Sequence, residues 1–190
     1  MSEFREEVKK TVEVLRKGGI ILYPTDTVWG IGCDATNEDA VKRILDLKGR
    51  TAEKGMILLL DLEGRIPNYV KDAPQVAFDL IEFSERPLTI VFDNAHGIAS
   101  SAVAQDGSIG IRVTKHEFCK QVITSLNKPL VSTSANISGH PFPRSFSEVN
   151  PAVLEGVDYV VNLQRNQSSS TTPSKVIRLR PNGEITILRS

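Results

Sequence analysis

Hydroxyl-bearing side chains are concentrated where the first apolar stretch of the chain ends. Residues 20–23 are apolar, and Pro24-Thr25-Asp26-Thr27-Val28-Trp29-Gly30 follows directly. Ligands of open α/β sheets bind outside the strand ends, where such loops gather. The same residues also suit an Asx or Ser/Thr turn that only stabilises the bend, so both interpretations stay open.

A second polar segment is rich in cations: Lys48-Gly49-Arg50-Thr51-Ala52-Glu53-Lys54-Gly55. Lysine and arginine bind phosphate and carboxylate oxygens, and the flanking glycines let a ligand approach the backbone closely. Cations at the end of a helix also complement its dipole. The segment therefore predicts either an anion-binding loop or an ordinary helix terminus.

A third polar segment ends the apolar stretch at residues 129–131. Ser132-Thr133-Ser134-Ala135-Asn136-Ile137-Ser138 brings four hydroxyls and one amide together within seven residues. Capping of a following helix would use one or two of these groups. Their density favours a polar binding site.

Several common catalytic motifs are absent from the sequence. It contains no P-loop pattern GxxxxGK[ST], no GxGxxG after the first apolar stretch and no GxSxG. Its three histidines, His96, His116 and His140, lack the close spacing of a zinc site. The residues alone predict an anion-binding α/β enzyme with neither a covalent nucleophile nor a metal held by protein side chains.

The elements that must position these segments alternate between helices and short strands. Helices are predicted at 4–15, 37–47, 74–83 and 117–126, with Asn37 as an N-cap and Gly18-Gly19 as a stop. Strands are predicted at 20–23, 56–60, 88–92, 109–113, 129–131 and 159–161. Residues 176–179 and 184–188 flank Arg180-Pro181-Asn182-Gly183, a hairpin signal. The pattern indicates an α/β fold with a twisted, open, mixed β-sheet flanked by helices.

Composition restricts the class of protein further. With 190 residues, of which 40% are hydrophobic, the chain is expected to form a single domain over residues 1–190. Its 23 basic and 23 acidic residues cancel, so contact with RNA would require a local basic patch. Cys33 and Cys119 are expected to be reduced thiols. The charged N-terminus is not a signal peptide and no apolar run could span a membrane, so we expect a cytoplasmic protein.

Taken in order, the polar segments resemble the YrdC-like family of threonylcarbamoyl-AMP synthases. The first loop of that family matches residues 23–27, its KxR element matches Lys48-Gly49-Arg50, and its SxN element matches Ser134-Ala135-Asn136. Its GIRV strand and PSxVI element resemble residues 110–113 and 173–177. The resemblance runs from about residue 18 to residue 189 and implies the YrdC-like fold, with a central concave basic cleft.

Some positions depart from the family pattern. Thr51 stands where many members have proline, Glu85-Arg86 replaces the Pro-Gly of a PGPLT motif, and Lys175 interrupts a PSTV motif. Ligand contacts at these positions stay open. Residues 54–58 and 112–114 are similar to the short bacterial TsaC branch, whereas longer relatives add a second domain. The YciO-like branch lacks the KxR and SxN residues that are present here, which favours a working synthase.

The resemblance also implies a reaction. The amine of L-threonine captures CO2 or bicarbonate, and the new carboxylate attacks the α-phosphorus of ATP, which releases pyrophosphate. Cations and hydroxyls suffice for such chemistry, because its catalysis rests on positioning and charge stabilisation. Lys48 and Arg50 are then the catalytic residues, and ATP is bound by Lys48, Arg50, Ser134, Asn136 and Arg189. The residues expected at threonine are Thr25, Thr27, Arg112, Ser132 and Ser174. Lys54 is a further candidate, and Asp26 either orients the amine or forms an Asx turn.

The product would serve threonylcarbamoyladenosine modification of tRNA, so the implied partners are transferase proteins that use the adenylate. Mg²⁺ would accompany ATP through the phosphate oxygens. One alternative is a YrdC-like protein that binds double-stranded RNA or tRNA without catalysis; another is the dihydroxybutanone-phosphate synthase class. The sequence shows no interleaved aromatic and basic residues for single strands and no acidic cluster for the metal of the latter class.

Overall fold

A computed structural model describes residues 2–50, 55–166 and 173–190 of the chain. Within them the helices are α1 (Glu3–Arg16), α2 (Glu38–Lys48), α3 (Val76–Glu82), α4 (Glu117–Leu126) and α5 (Pro151–Gly156). The strands are β1 (Ile21–Tyr23), β2 (Gly30–Asp34), β3 (Ile57–Leu60), β4 (Leu88–Phe92), β5 (Ile109–Val113), β6 (Leu130–Ser134), β7 (Tyr159–Val160), β8 (Lys175–Leu179) and β9 (Ile185–Arg189). Short 3-10 turns lie at Glu63–Asn68, Ser100–Ala102 and Phe146–Glu148.

These strands form one sheet in the order β7-β1-β2-β6-β3-β5-β4-β8-β9. The pairs β1–β7, β3–β5 and β4–β8 are parallel, and the other neighbours are antiparallel. The prediction of an open mixed sheet in an α/β fold is therefore confirmed. Among the described helices, none combines the length and the apolar character that crossing a membrane requires.

The two faces of the sheet are covered unequally. Successive residues of a strand point to opposite faces, and Leu58 and Leu59 accordingly belong to different buried clusters. Leu58 packs in the larger cluster, which includes Val41 of α2. Leu59 and Leu130 pack in a smaller cluster with residues of α1 and α4, and no described residue of β4, β5, β8 or β9 belongs to it. On that face, no described helix covers the half of the sheet formed by these four strands.

Helix α2 packs on the face of the larger cluster and ends at the KxR element. The Asn37 side chain accepts a hydrogen bond from Ala40 N at 3.0 Å, as predicted for an N-cap. The helix ends at Gly49, whose φ of 58° is in the left-handed region that glycine adopts at little cost. Lys48 consequently lies in the last turn, and Arg50 follows directly after the cap.

One central strand is not predicted from the sequence. β2 pairs with β1 and β6, so the first polar loop, residues 24–29, connects two antiparallel strands. Glycines 30 and 32 weaken the strand pattern, because glycine is depleted in strands. Gly32 is nevertheless required by close packing, since a Cβ there would lie 2.5 Å from the carbonyl oxygen of Val131.

The remaining differences between the predicted and the observed elements are smaller. Helix α5 is also absent from the sequence prediction, although Asn150 caps it through Ala152 N and Pro151 occupies its first turn. Strand β6 continues to Ser134, three residues beyond the predicted end. The β8–β9 hairpin is confirmed, with Gly183 at a φ of 86° in its turn.

Candidate functional site

A cavity of about 630 Å³ occupies the open half of the sheet face. Ile57 and Ser132 line it, and each lies two residues from a member of the cluster beneath α1 and α4. Its volume is typical of sites for small molecules. The described residues that line it are Thr25, Thr27, Val28, Gly30, Arg50, Gly55, Met56, Ile57, Thr89, Val91, Ser108, Gly110, Arg112, Ser132, Thr133, Ser134, Phe142, Pro173, Ser174, Val176, Leu188 and Arg189.

The first polar loop both forms a turn and lines the cavity. Thr25 Oγ1 accepts a hydrogen bond from Thr27 N at 3.0 Å and donates to the carbonyl oxygen of Val28 at 2.7 Å. Both threonine side chains also border the cavity. The two interpretations of this loop are therefore compatible, since a Ser/Thr turn aims the threonines at the open face.

Arg112 joins this loop from strand β5. Its Nη1 donates to Thr27 Oγ1 at 3.3 Å, and its Nη2 lies 3.2 Å from Asp26 Oδ1. Asp26 also accepts a hydrogen bond from Thr114 Oγ1 at 3.3 Å. Asp26 is not among the described residues that line the cavity, so it holds the guanidinium of Arg112 from behind the wall.

The two cations of the KxR element have different surroundings. Arg50 lines the cavity, and its Nη2 donates to the carbonyl oxygen of Gly55 at 2.8 Å. Burial lowers the pKa of the Arg50 guanidinium. Lys48 lies behind the wall, and its Nζ donates to the carbonyl oxygens of Ser134 and Asn136, both at 2.6 Å. Burial and then the charge of Arg50 lower the pKa of Lys48 to about 8.

In the SxN element, too, one residue lines the cavity and the other does not. Ser134 lines the cavity together with Ser132, and the hydroxyl of Ser134 donates to Asn136 Oδ1 at 2.5 Å. Asn136 lies outside the lining and donates from Nδ2 to the carbonyl oxygen of His140 at 2.6 Å. Arg50 and Ser134 therefore face the cavity, while Lys48 and Asn136 contact Ser134 from behind the wall.

Residues from the end of the chain complete the wall. Arg189 of β9 donates from Nε to the carbonyl oxygen of Ser174 at 3.0 Å and from Nη2 to its hydroxyl at 3.2 Å. The Ser174 hydroxyl is also 2.8 Å from that of Thr89 on β4. Burial, followed by the charge of Arg112, lowers the pKa of Arg189.

Eight of the ten residues predicted for the site line this cavity: Thr25, Thr27, Arg50, Arg112, Ser132, Ser134, Ser174 and Arg189. Lys54 and Thr51 lie outside the described residues. Thr89, Ser108 and Phe142 also line the cavity and are not predicted from the sequence. Thr89 lies on a predicted strand, and only its pairing with β5 and β8 brings it to the cavity.

The charged side chains among the described lining residues of the cavity are all basic. Three arginines line it, and no carboxylate is found among its described lining residues. Within residues 2–50, 55–166 and 173–190, no group of three or more His, Cys, Asp or Glu side chains could hold a metal ion. Cys33 and Cys119 are buried free thiols whose pKa is raised by burial, so neither is an activated nucleophile. The arrangement can bind and polarise anions through arginines and hydroxyls.

Comparison with known proteins gives concordant results. The Sua5/YciO/YrdC family model, which bears the description "telomere recombination", matches residues 13–190. A threonylcarbamoyl-AMP synthase of Pseudoalteromonas translucida (strain TAC 125) is 35% identical over 172 residues, which cover 89% of this chain and 91% of that protein.

Solved structures agree with this result. The structure of P. abyssi Sua5 complexed with L-threonine superposes with a TM-score of 0.83 at 26% identity and covers 94% of this chain. This chain spans about half of that protein, 52% of its length. E. coli YciO superposes with a TM-score of 0.84 at 22% identity, covering 100% of this chain and 91% of that one, and shows the shared fold.

Proposed function

The chain belongs to the Sua5/YciO/YrdC family, and from this premise we propose that it is a threonylcarbamoyl-AMP synthase. It converts L-threonine, bicarbonate or CO2, and ATP into threonylcarbamoyl-AMP and pyrophosphate. The observation that carries the proposal is the cavity wall, which contains three arginines and several hydroxyls and no carboxylate among the described residues. The match over most of a named synthase supports the same activity.

The reaction needs an environment of this kind. The threonine amine forms a bond to the carbon of CO2 and loses a proton, which gives a carbamate. A carbamate oxygen then bonds to the α-phosphorus of ATP as the bond to the pyrophosphate oxygen breaks. Two anions must approach each other, and negative charge develops on phosphoryl oxygens. Fixed cations and hydroxyl donors lower the energy of that transition state, and no protein nucleophile is required.

We assign the walls of the cavity to the two substrates by position. Arg112, held by Asp26 and Thr27, pairs with the threonine carboxylate, and Thr25, Thr27, Ser132 and Ser174 surround the amino acid. Arg50, Ser134 and Arg189 bind ATP, with Lys48 and Asn136 behind them. On this assignment the arginines make the cavity the basic cleft that the resemblance implies.

We propose that Mg²⁺ enters with ATP, held by phosphate oxygens and water. This fits the described wall, which offers hydroxyl and carbonyl oxygens and no carboxylate cage. The ion would neutralise phosphate charge, while the residues of the chain orient the substrates. We further propose that residues 1–190 act as one domain in the cytoplasm and pass the adenylate to transferase proteins that modify tRNA.

The test omits one substrate at a time. Pyrophosphate should appear only when threonine, bicarbonate and ATP are all present, and the product should have the mass of threonylcarbamoyl-AMP. Equal pyrophosphate release without threonine would show a nonspecific ATP hydrolase and contradict the proposal.

The RNA-binding alternative requires a separate experiment. Because the net charge is zero, binding to bulk tRNA should be weak and should fall as salt rises. Adenylate formation should proceed without tRNA. Tight tRNA binding by a protein that forms no adenylate would favour a non-catalytic RNA-binding module instead.

A further inference from the structure

Lys48 makes contacts that suit a support better than a ligand contact. Its Nζ donates to the carbonyl oxygens of Ser134 and Asn136 at 2.6 Å each, and Asn136 Oδ1 lies 3.4 Å away. An ammonium group has three N–H donors, so these acceptors account for all of them. Only 3% of the residue is exposed, and it is absent from the described lining of the cavity.

The acceptors belong to a turn that adjoins the cavity. Ser134 lines the wall, and its hydroxyl donates to Asn136 Oδ1 at 2.5 Å. Asn136 Nδ2 donates to the carbonyl oxygens of Ile137 at 3.2 Å and His140 at 2.6 Å. Ser138 N donates in turn to the carbonyl oxygen of Lys48 at 3.0 Å. The side chain and the backbone of Lys48 therefore both tie residues 134–140 to the end of α2.

From these contacts we propose that Lys48 is a positioning residue, which acts through the turn of residues 134–140 and does not touch the reacting phosphates. This proposal rests on the proposed function of the cavity, and it replaces the direct phosphate contact that the family resemblance implies for Lys48. Arg50 is the member of the KxR element that faces the substrates.

The choice of lysine at this position supports the assignment. A buried cation is costly unless its donors are satisfied, and an apolar side chain would fill the same space without that cost. The ammonium group instead holds two carbonyl oxygens that lie two residues apart on the turn. This spacing fixes the backbone on both sides of Ala135, and with it the direction of the Ser134 side chain.

A double-mutant cycle separates the two roles. Lys48→Met, Ser134→Ala and the double variant are compared in kcat and in KM for ATP, with pyrophosphate release as the readout. Lys48→Met should lower kcat/KM for ATP by about tenfold or more, as loss of a supporting contact does. Adding Lys48→Met to Ser134→Ala should have little further effect, because the side chain that Lys48 orients is already gone.

Arg50 provides the matched control. Arg50 has no hydrogen bond to Ser134 among the described contacts, so the losses from Arg50→Met and Ser134→Ala should multiply in their double variant. If the losses in kcat/KM from Lys48→Met and Ser134→Ala also multiplied in their double variant, Lys48 would be an independent ligand contact. The proposal would then be overturned.

A measurement on the unmodified protein keeps the proposal testable if Lys48→Met does not fold. The ¹⁵N resonance of the Lys48 ammonium group and those of the Arg50 guanidinium are followed while ATP is added without threonine. The Arg50 signals should move and the Lys48 signal should stay nearly fixed; a Lys48 shift as large as that of Arg50 would contradict a positioning role. Absence of pyrophosphate release by the wild type would instead contradict the proposed function, so the two failures are distinguishable.

Discussion

The guanidinium of Arg112 lies 3.2 Å from the carboxylate of Asp26, and the side chains are only 5% and 14% exposed. Removing one partner from such a pair leaves a buried charge without compensation. Asp26→Asn should therefore lower the free energy of unfolding by about 3 kcal/mol. It should also raise KM for threonine more than it lowers kcat, because Arg112 is no longer held in position.

Urea unfolding and threonine saturation curves measure these two effects. Lys10→Met is a suitable control, since Lys10 pairs with Glu6 at a site where the side chains are 50% and 54% exposed. That change should alter stability little, because water and salt screen exposed ion pairs, and should leave both kinetic constants intact. An Asp26→Asn variant with normal KM for threonine would show that Asp26 does not position Arg112 for the amino acid.

Arg50 is expected to act on the substrates directly. Arg50→Ala should fold and should lose about a hundredfold or more in turnover, because a donor to developing charge is removed. Arg50→Lys should recover only part of that loss, since an ammonium group cannot reproduce the planar contact of a guanidinium. Melting temperature and adenylate formation are measured together for the three proteins. A stable Arg50→Ala protein with near-normal turnover would place Arg50 outside the site.

Glu38 should couple stability to acid pH. Its carboxylate accepts hydrogen bonds from the hydroxyls of Ser101, at 2.5 Å, and Ser100, at 3.1 Å. The Ser101 contact is the main reason that the pKa of Glu38 is lowered to about 2. Between the ordinary pKa of 4.5 and this value, the unfolded chain binds the proton and the folded chain does not. The stabilisation is thus complete above about pH 4.5 and is lost as the pH falls towards 2.

Ser101→Ala should raise the pKa of Glu38 towards its ordinary value, as measured by NMR titration of the side-chain carboxyl carbon. Ser147→Ala is the control, because Ser147 contacts Ser145 and makes no described hydrogen bond to Glu38. An unchanged Glu38 titration in Ser101→Ala would exclude the hydroxyl as the cause of the lowered pKa.

Gly32 should tolerate no side chain. A Cβ at this position would lie 2.5 Å from the carbonyl oxygen of Val131 and 2.8 Å from Cε1 of Tyr23, so the central strands would have to separate. Gly32→Ala should destabilise the protein by about 1–3 kcal/mol. Gly64→Ala is the matched control, since nothing lies within 4 Å of a Cβ there. Equal denaturation midpoints for the two variants would show that β2 can relax without cost.

Local sequence signals were sufficient for much of the fold. The cap at Asn37, the apolar spacing of α1 and the turn at Gly183 each determine structure within a few residues, and all three are observed. Strand β2 is not predicted because Gly32 is explained only by the close approach of Val131 and Tyr23, which lie on the two neighbouring strands. Such tertiary packing overrides the low strand propensity of glycine.

The residues of the candidate site likewise divide into those that have a local sequence signal and those that have none. Thr25, Arg50 and Ser134 stand out in the sequence as dense polar groups, and the structure brings them to one cavity. Thr89 and Ser108 carry no local signal, because their place depends on the pairing of β4, β5 and β8. The direction of the Lys48 side chain likewise cannot be predicted from its neighbours in sequence, since its hydrogen-bond acceptors lie at the end of β6 and in the turn that follows.

The wall of the cavity runs from Thr25, which follows the first strand, to Arg189, which ends the ninth. These residues are far apart in the sequence, so they are synthesised at different times. A nascent chain that has formed β1 to β7 lacks Ser174, Leu188 and Arg189. The part of the cavity wall that these residues form is therefore missing. If the wall binds threonine and ATP as proposed, adenylate formation should therefore begin only after β9 has been synthesised and has joined the sheet.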